Sequence, residues 1–91
     1  MIFKLGKLDE EVKERISNGE TPVGTELYTN WGYRTGWHYW YRCVLTFKFE
    51  GEDTEHKVNI EISKEDQPVL DYLHLKWVME GIDWKAGTVT C

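Results

Sequence analysis

The sequence predicts an α+β fold, a three-stranded antiparallel β-meander with an N-terminal and a C-terminal helix (α-β-β-β-α). Three observations carry that expectation. Apolar residues recur at helical spacing towards each end, two long central stretches alternate strictly, and turn-forming residues separate these segments.

Leu5, Leu8, Val12 and Ile16 lie one helical turn apart, Asp9 is placed to cap, and Asn18-Gly19 supplies a left-handed stop. The first helix is therefore expected over Asp9 to Asn18, with Met1 to Leu5 able to add a short strand before it. Thr21-Pro22 and Gly24 end helical propensity. Thr25 to Thr29 then run extended into a turn-rich stretch, Asn30-Trp31-Gly32-Tyr33-Arg34-Thr35-Gly36, read as a long hairpin loop. Beyond it Trp37, Tyr39, Tyr41, Cys43, Leu45, Phe47 and Phe49 share one face, opposite His38, Trp40, Arg42, Val44, Thr46 and Lys48. The first set is the expected core face. After the turn Glu50-Gly51-Glu52-Asp53, His56, Val58, Ile60 and Ile62 alternate inward as the third strand.

Ser63-Lys64-Glu65-Asp66 has capping-box spacing, and Pro68 fits the first turn of a helix capped by Asp66. Leu70, Leu73 and Trp77 give that helix its apolar side, Gly81 ends it, and Val89 can join a sheet edge. The 91 residues are expected to form a single compact domain over 1-91. Five Trp, five Tyr and three Phe compensate for the short chain, since each ring can bury roughly 150 to 250 Å².

Sixteen acids against eleven bases leave a net charge of −5, which opposes direct binding to duplex DNA. Between Leu27 and Phe49, however, there is no Asp or Glu, only Arg34, Arg42 and Lys48. The helix-meander-helix order is also that of double-stranded RNA-binding domains. Those need bases at the start of the last helix, where this chain has Lys64-Glu65-Asp66. No apolar run reaches the roughly 18 residues that span a bilayer, so a cytoplasmic protein is expected. There Cys43 and Cys91 are expected to remain thiols rather than pair.

His38, Cys43, His56, His74 and Cys91 show neither CxxC nor HxxxH spacing, so neither a metal nor another cofactor is expected. Ser17 and Ser63 lack GxSxG context, Ser63 being explained as a cap. Gly32 and Gly36 bracket a hairpin rather than open a helix, as a phosphate loop would require. An enzyme is therefore not expected.

What stands out is a cluster of Tyr28, Trp31, Tyr33, Trp37, Tyr39, Trp40 and Tyr41 interleaved with Arg34, His38 and Arg42. Exposed Trp, Tyr and Arg dominate protein-protein hot spots. The first expectation is thus a protein-binding module, an inhibitor of a host protein, anchored by Trp31, Tyr33, Arg34 and Trp40. In a sharper form, Glu10, Glu11, Glu14, Glu50, Glu52, Asp53 and Glu55 present carboxylates in place of phosphates to a nucleic-acid-binding partner. In size and acidity the chain resembles small inhibitors made by phages and other mobile elements, anti-CRISPR proteins among them, without a motif that assigns it to one family. The second expectation is capture of a nucleotide, with Arg34, His38 and Arg42 on phosphate and Trp31 or Trp40 stacked on the base. An uncovered edge in a three-stranded sheet also invites pairing with a second copy.

Overall fold

The computed structural model describes residues 1–34 and 38–91, and the side chains of residues 33, 34, 38 and 39 fall outside the description. Its architecture is a six-stranded antiparallel half-barrel sheet with three short helices, which overturns the three-stranded meander flanked by two helices. In chain order the elements are β1 (Ile2–Leu5), α1 (Glu10–Ser17), β2 (Pro22–Arg34), β3 (His38–Phe49) and β4 (His56–Glu61). A 3₁₀ segment (Lys64–Tyr72), α2 (Leu75–Gly81), β5 (Ile82–Asp83) and β6 (Thr88–Thr90) complete the chain.

The central meander β2-β3-β4 is present, and the two chain ends extend it in the order β2-β3-β4-β1-β6-β5. The reason lies at the free edge of β4. Ile60 and Glu61 pair with Leu5 and Lys4 of β1, whose Phe3 then pairs with Val89 of β6. Phe3 and Val89 are buried while their neighbours on each strand are more exposed, so even these short strands alternate across a core face. At the ends of the pair, the Met1 ammonium donates to the Cys91 carbonyl at 2.8 Å and the Cys91 amide donates to the Met1 carbonyl at 2.9 Å.

The helix α1 follows its spacing, with Val12 and Ile16 in the core, Leu8 buried in the connection just before it and Gly19 at φ 93° beyond its end. Asp9 stands at the N-cap position without a side-chain capping bond. The second expected helix is broken. Pro68 lies inside the 3₁₀ segment, where it denies an amide to the helical ladder, and Leu73 and His74 are extended before α2 begins. Ser63 does not cap with its side chain; its hydroxyl donates to the Asp66 carboxylate at 2.8 Å. Leu70 and Val78 still reach the core, but Trp77, expected inward, is 55% exposed.

The buried apolar residues form one cluster drawn from α1, β1, β3, β4, the 3₁₀ segment, α2 and β6, together with Leu8 just before α1 and Ile62 just after β4. Phe47 is at its centre, 4.8 Å from the Trp84 ring and 5.6 Å from His56 between ring centroids. Ring packing of this kind adds about 0.5 to 1.5 kcal/mol per aromatic pair beyond the area buried. Gly24 on β2 lets α2 approach: a Cβ built there would sit 2.6 Å from the Met79 sulfur.

Candidate functional site

β2 and β3 pair from Pro22↔Phe49 out to Arg34↔His38, whereas β4 pairs with β3 only between Val44↔Asn59 and Phe47↔His56. From Cys43 outward β3 therefore has one partner strand, and the two form a ribbon beyond the body of the sheet. The stretch Asn30 to Arg34 belongs to β2 and is not the loop expected from its glycines. The change in pairing explains the side-chain burial. Cys43, Leu45, Phe47 and Phe49 are buried, but Tyr41, on the same face of the same strand, is 37% exposed. The expected core face thus stops at Cys43; Trp37 and the Tyr39 side chain lie outside the described residues.

Register assigns the ribbon two faces. Directly paired residues share a face, so Trp31 and Tyr41 stand on the core side, while Tyr28, Asn30, Gly32, Trp40, Arg42 and Val44 stand on the other. On the core side the Trp31 indole N–H donates to Asp71 of the 3₁₀ segment at 3.2 Å, which fixes its ring beside that segment. On the other side the Trp40 ring lies across Gly32, where an added Cβ would stand 2.5 Å from Cη2. Covering a cross-strand glycine in this way orders Trp40 without burying it. The Asn30 amide donates to the Tyr28 hydroxyl at 3.1 Å on the same face.

Of the residues expected at the site, Trp40 and Arg42 are exposed together on one face and Trp31 is exposed on the other. Tyr33 and Arg34 pair through their backbones with Tyr39 and His38, and their side chains, like that of His38, lie outside the description. Trp31 and Trp40 do not sandwich a common ligand, because the ribbon separates them. Where β4 leaves β3 for β1, a cleft of about 560 Å³ opens between Tyr41–Val44 and Asn59–Ile62.

Sequence reasoning missed a second group of exposed rings at the end of the 3₁₀ segment that receives Trp31 and in α2 after it. Tyr72 is 72% exposed, and the Trp77 ring meets His74 edge-on at 4.6 Å between centroids. The helical periodicity through Leu70, Leu73 and Trp77 concealed Trp77, because it assumed one unbroken helix.

The acids are divided by Arg15. Its guanidinium lies 4.1 Å from the Phe49 ring centroid and donates to Glu20 at 2.7 and 2.8 Å and to Glu52 at 2.5 Å. Those hydrogen bonds hold both carboxyls below the usual range and raise the guanidinium pKa further. Glu10, Glu11, Glu14, Glu50, Asp53 and Glu55 are exposed, with Lys13 3.8 Å from Glu10.

Cys43 and Cys91 are free thiols, the first buried and the second exposed. Burial, with a smaller contribution from Cys91, pushes the Cys43 thiol up to about 11. Among the described residues no group of three His, Cys, Asp or Glu side chains is placed to hold a metal ion. No described helix is long and apolar enough to cross a membrane. Comparison with family models, with curated proteins and with solved structures finds no match.

Proposed function

We propose that the chain is a protein-binding module that docks a host protein through the aromatic ribbon of β2 and β3. The observation that carries this reading is the continuation of two paired strands past β4, with Tyr28, Trp31, Trp40 and Tyr41 each exposed by more than a third. A strand that leaves the sheet gains little folding energy from rings it does not bury. Rings held in place but left in water retain their apolar area for a partner.

Trp40 is ordered over Gly32 and Trp31 by its bond to Asp71, which lowers the entropy lost when a partner covers them. Arg42, beside Trp40, adds a fixed positive charge in a stretch without acids. The acids of the β3–β4 turn lie at the opposite end of β3 from this surface, with α1 tied to that turn through Arg15 and Glu52, and they orient the encounter only at long range. Two free thiols suit a reducing, cytoplasmic setting for that encounter.

The test is photo-crosslinking in cells that make the protein, with a photoreactive residue replacing Tyr28 on the ribbon or Lys57 on the body. A discrete adduct from position 28, absent from position 57 and lost in Trp40→Ala/Tyr41→Ala, is expected. If Glu10→Lys/Glu11→Lys/Glu14→Lys abolishes the adduct and the aromatic variant leaves it intact, the carboxylate surface carries binding and the ribbon does not.

A further inference from the structure

The chain's net charge is −5, yet one cavity gathers lysines. It holds about 600 Å³ and is bounded by the β1–α1 connection, the face of α1 and the β5–β6 turn. Lys7, Lys13 and Lys85 reach its lining from those three segments, against Glu61 as the one acid there. Its walls also include Leu5, Leu8, Ile16 and Trp84. Folding, rather than any local motif, brings these lysines together.

We infer that this cavity binds a nucleoside phosphate, the lysines taking the phosphate oxygens and the apolar wall taking the ring system. Three lysines against Glu61 leave the lining with a net charge of about +2, which matches a ligand with more than one negative charge better than a simple carboxylate. The volume lies within the roughly 300 to 1,000 Å³ of small-molecule sites, which combine apolar walls with a few polar groups. The Trp84 indole packs against Phe47 at 4.8 Å between centroids, so the core fixes that wall.

The turn bearing Lys85 is also built in advance. Asp83 accepts the Lys85 and Ala86 amides at 3.1 and 3.0 Å, and the Gly87 amide donates to the Asp83 carbonyl at 2.8 Å. Gly87 in turn accepts the Leu5 amide at 2.8 Å, which ties the turn to the opposite wall. Lys13 is 3.8 Å from Glu10, but both side chains are at least half exposed, so this pair costs little to exchange for phosphate. The site is separate from the ribbon and does not depend on the protein-docking reading.

Amide chemical-shift titration with ADP, compared with adenosine and inorganic pyrophosphate, tests the site in the full chain. Saturable shifts at Gly6, Ala86 and Gly87 are expected, with ADP tighter than either fragment. Lys7→Gln/Lys13→Gln/Lys85→Gln should weaken ADP on the order of tenfold or more, since each charged hydrogen bond contributes measurably. Lys57→Gln/Lys76→Gln should leave ADP affinity unchanged. Because all three cavity lysines are exposed, the same spectra verify that the variant folds. The inference is overturned by absent shifts at millimolar ADP, by shifts confined to the ribbon, by unchanged affinity in the triple-lysine variant, or by adenosine binding as tightly as ADP.

Discussion

Two halves of β3 obey the same alternation and have opposite fates. Cys43 to Phe49 puts every second side chain into the core, whereas Trp40 and Tyr41, adjacent on the outer half, are exposed almost equally at 38% and 37%. Strand periodicity tells which face a residue takes; whether that face is covered depends on what packs against it. Around Val44 to Phe47 β4 is the second neighbour, and beyond Val44 β4 turns to β1. The division of the strand into a buried half and an exposed half follows from that departure.

The largest effect that separates the halves is truncation. Phe47→Ala removes a fully buried ring packed on Phe49, His56 and Trp84 and should cost about 3 to 5 kcal/mol. Tyr41→Ala, on the same face of the same strand, should cost about 1 kcal/mol. Urea midpoints at constant slope read both, and equal losses would mean that the ribbon is part of the core.

Glycines extend the comparison. A Cβ at Gly81 would run into the Thr90 carbonyl of β6, a backbone atom that no rotamer change can move, so Gly81→Ala should cost about 1 to 3 kcal/mol. At Gly32 the obstacle is the far edge of the Trp40 ring. Gly32→Ala should displace that ring, with a changed near-ultraviolet circular dichroism spectrum and less than about 1 kcal/mol of stability lost.

Much of the meander was legible because its strands alternate over many residues, and α1 was legible because Leu8, Val12, Ile16 and Gly19 mark one face and an end. The additions at the chain ends were not. β1 has four residues, β6 three and β5 two, and their place in the sheet depends on the free edge of β4 rather than on their own pattern. The ribbon's composition was visible, but its exposure needed the point where β4 departs. Nothing in the helical pattern marked Arg15, because its partners Glu20 and Glu52 lie outside that helix.

The two thiols give a smaller contrast. Exposed Cys91 should react first with Ellman's reagent, and Cys43 should react on unfolding, since burial raises its pKa to about 11 and leaves little thiolate at pH 8. Rapid reaction of both in the native protein would contradict the buried position of Cys43.

The smallest expected effect is on acid stability. Arg15 lowers the folded pKa of Glu20 and Glu52 below the ordinary 4.5, so their pairing stabilises the fold fully above that value. The contribution is lost as pH falls from 4.5 through the depressed folded values. Arg15→Met keeps an apolar stem over Phe49 and removes the charge. Its urea midpoint should lie below that of the unsubstituted protein near neutral pH and converge with it in acid; a constant difference would mean that packing on Phe49 carries the whole effect.

Native-state hydrogen exchange along β3 tests the division of the strand most directly. Amides from Leu45 to Phe47 should exchange only through global unfolding, while those of Trp40, Tyr41 and Arg42 exchange through local opening with a much lower free energy. Equal protection across Trp40 to Phe47 would contradict the account, because the ribbon would then open only when the whole core does.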